Sequence, residues 1–459
     1  MDPRTRALIE APIVPTLIRL AVPNIVTTVV QASTGLIETY YIGKLGTDAL
    51  AGVALVFPGV MLMQMMSSGA MGGGVSSAIA RALGAGRKDD ADATISHALV
   101  IATGFAAFFS VLMLGFGRPL YAALGGHGGS LTVALTYSDI VFSGVLLIWL
   151  FNTLANVIRG TGNTFVPAVV TIAGAALLIP LSAALIFGIG PLPAWGAAGG
   201  AMALLMYHGV GALAFACYLW SGRAVVRPKL LQTRLRWALF RDILRIGLLA
   251  SLTSIMTNVT IALTTGVVGA FGPAAIAGYG VGTRLEYLLI SLAFGFGGPL
   301  VALVGTNLGA GNRERALRGA WIGGWLCFGM TEAIGLLAAL FPAAWLTLFD
   351  RDPGMVEAGS TYLRIVGPFY GFFGLGMALY FASQGAGALK WPLIAGFCRL
   401  LIAVGGGWLA MRLTGSLAMV FAALGLGLAV LGLLIAGAIK AGAWFGGQTG
   451  GHDKPAASR

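Results

Sequence analysis

The chain has 459 residues, of which 58% are hydrophobic and only 10% are charged, and its mean hydropathy is +0.89. Soluble domains carry about 25% charged residues, so this composition excludes a water-soluble enzyme and a disordered chain. The formal net charge of +12 would suggest a nucleic-acid partner in a soluble protein. Here the basic residues lie in short connections between apolar segments, so the charge indicates orientation in a lipid bilayer and no nucleic-acid partner is expected.

Twelve apolar segments are each long enough to cross about 30 Å of hydrocarbon, a distance that takes about 20 helical residues. In chain order they cover roughly 17–43, 49–79, 93–116, 132–155, 165–189, 195–220, 243–269, 274–306, 317–341, 357–383, 392–412 and 416–439. The sequence therefore predicts an all-α membrane protein with twelve transmembrane helices and no large soluble domain.

Basic residues fall mainly on one side of the membrane when the spans alternate from a cytoplasmic N-terminus. Of the 28 Lys and Arg residues, 21 fall on the cytoplasmic side, four fall outside, and three (Arg284, Arg364 and Arg399) lie within or at the edge of spans. Cytoplasmic loops of membrane proteins are enriched in Lys and Arg. We therefore predict a multi-pass membrane protein with both termini in the cytoplasm.

The two halves of the chain repeat each other at an offset of 225 or 226 residues. LGTDALAG at Leu45 returns as FGPAAIAG at Phe271, LGAGRKDDA at Leu83 as LGAGNRERA at Leu308, and RGTGNTFVP at Arg159 as QGAGALKWP at Gln384. An even number of spans per half means that both repeats enter the membrane from the same side. This arrangement predicts two pseudo-symmetric six-helix bundles related by an axis along the membrane normal, as in secondary transporters that rock between two states.

The repeat divides the chain into four predicted parts. Residues 1–220 form the N-terminal bundle, 221–242 a cytoplasmic linker, 243–445 the C-terminal bundle and 446–459 a disordered cytoplasmic tail. No G-x-x-x-x-G-K-[ST] nucleotide-binding signature occurs in the sequence. The glycines of the two LGAG loops are predicted to form tight turns rather than a phosphate-binding loop.

Several motifs along the whole chain resemble the multidrug and toxic compound extrusion (MATE) family. They are RLAVPNI, which contains Pro23, together with YIGKLGTDALAG, ARALGAGRKDDA, IRGTGNTFVP and VGTNLGAGNRERA. The resemblance implies a V-shaped pair of six-helix bundles that exports organic, often cationic compounds in exchange for protons or sodium ions. It also implies a location in the bacterial inner membrane and a protein that is not an enzyme. The wider superfamily also contains flippases for lipid-linked sugars, so a flippase of lipid-linked precursors is the alternative.

Two carboxylates are predicted to couple ion movement to transport. The resemblance implies an acid near the outer end of the first span, where bacterial members usually carry aspartate and this chain has Glu38. Glu38 lies about 18 residues beyond Leu20, ~27 Å up the helix, and an interfacial acid is the alternative interpretation. Glu286 lies ~16 Å deep in the eighth span; there the alternative is a structural ion network. Protons are favoured over sodium because few membrane carboxylates are available to surround a sodium ion.

Four further charged residues in the spans are candidate partners for one another or for Glu286. They are Asp139, Arg284, Glu332 and Arg399. Arg399 with Glu286 and Arg284 with Glu332 are the possible pairs, and the sequence does not decide between them. Asp139 matches Arg364 across the repeat, which is compatible with a lock between the bundles or with two side chains that reach the membrane surface.

Polar side chains within the spans are predicted to line a cavity for a small organic substrate, although each could instead form interhelical hydrogen bonds. These cavity candidates are Asn24, Gln31, Thr34, Asn152, Asn156, Asn258, Arg284 and Tyr287. Pro23 removes a backbone hydrogen bond early in the first span and is predicted to permit bending linked to Glu38. Neither the three cysteines nor the histidines show ligand spacing, so no metal and no cofactor other than the coupling ion is predicted, and the expected oligomeric state is a monomer.

Overall fold

The computed structural model describes residues 2–189, 193–229 and 234–445. In these ranges every regular element is a helix, and eleven helices are long and apolar enough to cross a membrane. A bent pair of shorter helices supplies a twelfth span. The predicted all-α membrane fold is confirmed, whereas the predicted disordered tail, 446–459, and residues 230–233 of the predicted linker lie outside the described residues.

The spans follow the predicted apolar segments closely, and a short helix, Pro3–Glu10, precedes them. Spans 1, 2 and 3 are Ile13–Gly43, Thr47–Gly84 and Lys88–Ala123. Span 4 is the bent pair Gly128–Ser143 with Val145–Gly160. Spans 5 and 6 are Phe165–Phe187 and Ala197–Trp220. Spans 7 to 12 are Trp237–Gly269, Pro273–Gly309, Arg313–Leu340, Pro353–Ala386, Lys390–Thr414 and Leu417–Lys440. A five-residue helix, Pro342–Leu346, lies between spans 9 and 10.

Among the described residues four spans depart from straight α-helix, and span 10 does so at a 3-10 segment, Gly367–Phe369. Span 4 bends by 50° at Gly144, where a Cβ atom would lie 2.5 Å from Leu205 Cδ1. Spans 2 and 11 contain π-helical segments, Met65–Met71 and Leu401–Gly406. Such bulges leave backbone groups that other residues can satisfy, and they occur often at functional sites.

The residues form two compact units. The first comprises Met1–Ile255 and Ile290–Gly323, and the second comprises Met256–Leu289 and Gly324–Arg459. The units do not coincide with the two sequence halves, because parts of spans 7, 8 and 9 pack with the N-terminal half. The parts of spans 8 and 9 are joined by the second LGAG loop.

The two LGAG loops both form tight turns, as predicted. Gly86 and Gly311 have φ angles of +72° and +80°, which side chains with a Cβ rarely adopt. Within the first unit, the ends of spans 2 and 8 approach backbone to backbone at two other glycines of the motif. A Cβ atom on Gly84 would lie 2.0 Å from Thr306 O, and one on Gly309 would lie 2.2 Å from Arg81 O.

The described part of the linker packs against the beginning of span 3. The Arg227 amide donates to Asp92 Oδ1 at 2.8 Å, and Lys229 Nζ lies 3.1 Å from Asp89 Oδ1. The hydrogen bond to Asp89 raises the pKa of Lys229. His97 is fully buried here: its Nε2 accepts from the Arg236 amide at 2.8 Å, and its Nδ1 lies 2.8 Å from Ala93 O. The linker is therefore held to the first unit by buried and exposed polar contacts.

Candidate functional site

The first unit places Glu38 among polar side chains of other spans. Glu38 lies near the end of span 1, and its Oε1 atom is buried with no hydrogen-bond partner. Tyr137 of span 4 and Tyr207 of span 6 both lie close enough to interact electrostatically with Glu38. A buried carboxylate oxygen without a partner is unfavourable, so this position is suited to receive a proton or a cation.

Tyr207 links Glu38 to a second group of polar residues in the same unit. Its ring lies against Gly174 of span 5, where a Cβ atom would be 2.6 Å from Tyr207 Cε2. Gln31 of span 1 and Thr171 of span 5 lie beside its hydroxyl, and Arg159 of span 4 lies within electrostatic reach of it. Tyr207 therefore lies between a carboxylate and a guanidinium.

The second unit contains a separate polar pocket around Glu286. The Tyr362 hydroxyl donates to Glu286 Oε1 at 2.8 Å, and the Tyr370 hydroxyl lies 3.5 Å from that of Tyr362. Both tyrosines are fully buried. Arg399 and Thr264 also line the pocket. The carboxylate is thus oriented by a buried hydrogen-bond donor.

Arg399 faces the pocket without forming a close ion pair with Glu286. The two side chains interact electrostatically, but no nitrogen–oxygen distance between them falls within 4.0 Å. The space left in the pocket has the size of a water molecule or a small ion. The predicted pairing of Arg399 with Glu286 therefore takes the form of a shared pocket.

The family model described as MatE matches residues 23–184 and 250–409, which is most of the chain. The chain belongs to the MATE family. Among curated relatives it is 28% identical to an FAD transporter of Shewanella oneidensis over 86% of this chain and 87% of the relative. It is also 28% identical to a probable multidrug resistance protein, NorM, of Thermotoga maritima over 83% and 82%. A solved MOP superfamily transporter from Pyrococcus furiosus matches with a TM-score of 0.87 at 24% identity, over 97% of this chain and 99% of that one.

The MATE fold was predicted correctly. The prediction of a transporter rather than an enzyme is also confirmed by membership of this family. The coupling ion and the substrate are not specified by these similarities. Glu38 and Glu286 remain the two candidate carboxylates, one in each unit.

Two of the predicted cavity residues form hydrogen bonds to span 2 at or beside its π-helix. Asn152 Nδ2 donates to Gln64 Oε1 and to Ser67 Oγ, at 3.0 and 2.8 Å. Asn156 Nδ2 donates to the backbone carbonyl of Ser68 at 3.0 Å. These contacts match the interhelical alternative, because the amides satisfy groups that the irregular segment leaves open.

The remaining cavity candidates lie in varied surroundings. Asn24 is buried and donates to the carbonyls of Phe294 and Gly295, both at 3.2 Å. The Thr34 hydroxyl donates to Val30 O within its own helix. Gln31, Asn258 and Tyr287 are exposed on spans 1, 7 and 8.

The other intramembrane charges, whose pairing the sequence leaves open, have different neighbours. Arg284 is exposed and covers the Phe349 ring at 5.0 Å, so it does not pair with Glu332. Glu332 Oε2 instead accepts from the Gly371 amide at 2.7 Å. Asp139 and Arg364 are both exposed, as expected for side chains that reach the membrane surface.

Sequence reasoning missed the tyrosines that accompany the two glutamates, and it counted Arg159 among the loop residues. The repeat could have indicated the tyrosines, because Tyr137 and Tyr362 lie 225 residues apart. Thr264, which lines the pocket of the second unit, likewise lies 226 residues after Glu38.

Proposed function

We propose that this protein exports organic compounds that are cationic or hydrophobic, in exchange for protons, with Glu38 as the coupling carboxylate. The observation that carries the proposal is the buried Oε1 atom of Glu38, which lacks a hydrogen-bond partner and lies near Tyr137 and Tyr207. Membership of the MATE family supports transport of this kind.

The coupling follows from the chemistry of a single carboxylate in a partly dry site. A proton bound at Glu38 neutralises its charge and removes the attraction for a cationic substrate, which then leaves on the outer side. Loss of the proton towards the cytoplasm restores the negative charge and the attraction. We further propose that the end of the fold that carries the LGAG loops faces the cytoplasm of a bacterial inner membrane, together with both termini, because 21 of the 28 basic residues are expected on that side.

Glu286 is proposed as a second ion-coupling residue. Its pocket in the second unit has space for a water molecule or a small ion and is lined by the hydroxyls of Thr264 and Tyr362. The positive charge of Arg399 in the same pocket opposes binding of either a sodium ion or a proton at Glu286, so the coupling role of Glu286 does not depend on this contact.

Proteoliposomes test the proposal directly. A fluorescent lipophilic cation would be followed under an imposed pH gradient and, separately, under a sodium gradient. Wild type would be compared with Glu38→Gln. Glu332→Gln is the matched control, because Glu332 is another intramembrane acid and binds a backbone amide that glutamine can also bind.

We expect movement driven by the pH gradient in wild type and in Glu332→Gln, and loss of that movement in Glu38→Gln. Movement driven only by sodium would overturn proton coupling and keep the transporter. Equal proton-driven rates in wild type and Glu38→Gln would remove Glu38 from the coupling role. If neither gradient moves the cation, labelled lipid-linked sugars would test the flippase alternative.

A second candidate substrate is a flavin dinucleotide. It is favoured by the relative from Shewanella oneidensis, whose name states FAD transport and which aligns over most of both chains. Intrinsically fluorescent FAD would be loaded into the same vesicles, and its release would be followed beside that of the cation. Release of FAD without movement of the cation would favour this candidate.

A further inference from the structure

We propose that the first unit binds the anionic end of a substrate at Arg159, so that preferred substrates carry a carboxylate or phosphate at one end and a cationic part at the other. The inference deepens the proposed export function and rests on it. It concerns the chemical class of substrate, which the proposed function leaves open between cationic and hydrophobic compounds.

Arg159 lies at the end of span 4 and has no partner for its charge. Its Nε atom is buried, and the side chain makes no hydrogen bond or ion pair with any residue in the described ranges. Leaving the buried Nε donor without a partner is unfavourable, because this N–H has been removed from water. The planar arrangement of these donors matches a carboxylate or a phosphate, which can accept two of them at once.

The side chain of Arg159 lies beside a glycine of span 8 and a polar residue of span 1. Gly298 of span 8 has no side chain there, and a Cβ atom would lie 3.7 Å from Arg159 Cδ and 3.4 Å from Asn24 Nδ2. Asn24 and Arg159 therefore lie on either side of the same glycine. Tyr207 lies within electrostatic reach of Arg159, and its hydroxyl is uncharged.

Polar residues of span 1 connect this position with Glu38. Asn24, Gln31 and Glu38 are seven residues apart, and a seven-residue step returns to nearly the same face of a helix. At 1.5 Å per residue the three positions extend over ~21 Å. Arg159 accompanies the Asn24 end, Tyr207 lies beside Gln31, and Tyr137 accompanies Glu38.

The resulting polar column carries opposite charges at its two ends. The guanidinium and the carboxylate are not paired with each other, so each can be satisfied by the group of opposite charge on one elongated molecule. A purely cationic compound would satisfy Glu38 and leave Arg159 without a partner. A zwitterionic compound satisfies both, which is the physical reason for the preference.

A matched pair of dyes tests this preference. Rhodamine B carries a carboxylate and a cationic ring system, and its ethyl ester has the same ring system without the anion. Because the dye is too short to reach from Arg159 to Glu38, the pair tests the anionic subsite at Arg159 alone. Binding of each dye to the full-length protein would be measured by fluorescence anisotropy in nanodiscs of neutral phosphatidylcholine. The variants are Arg159→Gln, Arg159→Lys and, as control, Arg245→Gln, which alters an exposed arginine of span 7.

Wild type is expected to bind rhodamine B about tenfold or more tightly than the ester, in line with a charge-assisted hydrogen bond. Arg159→Gln should remove that difference, Arg159→Lys should keep part of it, and Arg245→Gln should leave it unchanged. Equal affinities in wild type, or a difference that survives in Arg159→Gln, would overturn the proposal. If Arg159→Gln does not fold, the comparison of the two dyes in wild type and in Arg159→Lys decides the question.

Nanodiscs that contain anionic phosphatidylglycerol distinguish a substrate anion from a lipid headgroup. Competition that abolishes the preference for rhodamine B and depends on Arg159 would assign the site to lipid phosphate and overturn a substrate role. Proton-driven movement of the ester in proteoliposomes separates the two levels of inference. If the ester moves while the dyes bind equally, the proposed export function stands and the anionic subsite fails.

Discussion

The Tyr362 hydroxyl donates to Glu286 at 2.8 Å, and the corresponding tyrosine of the first repeat, Tyr137, lies beside Glu38. Each unit thus pairs one membrane glutamate with the tyrosine found at the same position of its repeat. The glutamates themselves are not at equivalent positions, since Glu38 lies in the first span of its half and Glu286 in the second. The repeat therefore preserves the tyrosine, whereas the acid next to it comes from a different helix.

The hydrogen bond from Tyr362 should contribute measurably to stability. Tyr362→Phe removes the donor and leaves a buried oxygen of Glu286 unsatisfied, which costs about 1–3 kcal/mol. We expect a lower melting temperature for the purified protein in detergent. Tyr40→Phe is the control, because Tyr40 is 61% exposed and should tolerate the change. Equal melting temperatures for Tyr362→Phe and wild type would show that the hydrogen bond is not significant.

Bending of span 1 should depend on Pro23. Proline inside a helix costs about 3 kcal/mol, so Pro23→Ala should stabilise a straight helix by an amount of that order. We expect proton-driven transport to slow by more than about tenfold, measured as the initial rate in proteoliposomes. Pro180→Ala changes an exposed proline inside span 5 and should leave the rate nearly unchanged. Unchanged transport in Pro23→Ala would refute the link to Glu38.

The contact between spans 2 and 8 should not tolerate a methyl group. Gly84→Ala would place a Cβ atom 2.0 Å from Thr306 O, so one backbone must move. Forced expansion of a packed contact costs about 1–3 kcal/mol, and we expect a corresponding fall in thermal stability. Gly104→Ala in span 3 is the matched control, since no atom lies within 4 Å of its added Cβ. A similar effect of the two substitutions would contradict this account.

Two aspartates that contact the same lysine should differ sharply. The Asp92 side chain is 4% exposed and also accepts from the Arg227 amide, whereas the Asp89 side chain is 96% exposed. Asp92→Ala leaves a buried amide unsatisfied and should cost about 1–3 kcal/mol. Asp89→Ala should change stability by less than about 1 kcal/mol. Limited proteolysis of the linker, which we expect to accelerate only in Asp92→Ala, provides the measurement.

Hydropathy and the internal repeat were sufficient to predict the spans, because a run of about 20 apolar residues has few other structural solutions. The same signals could not predict that the Nε atom of Arg159 is buried. A basic residue at the end of a span is usually solvated, and this burial depends on how the neighbouring helices pack. The signals also could not assign Asn152 and Asn156, whose role depends on a π-helix in another span. Division of the chain at the linker could not foresee that Ile290–Gly323 would pack with the N-terminal half.

Gly84 and Gly309 are equivalent positions of the repeat, and so are Arg81 and Thr306, the residues whose carbonyls they approach. The contact is therefore isologous: the same patch of each half meets its own counterpart, as across the two-fold axis of a homodimer. In a homodimer any substitution would appear twice. In a single chain the two sides have become independent, so that Arg81 can pair with Asp242 while Thr306, at the matching position, carries no charge.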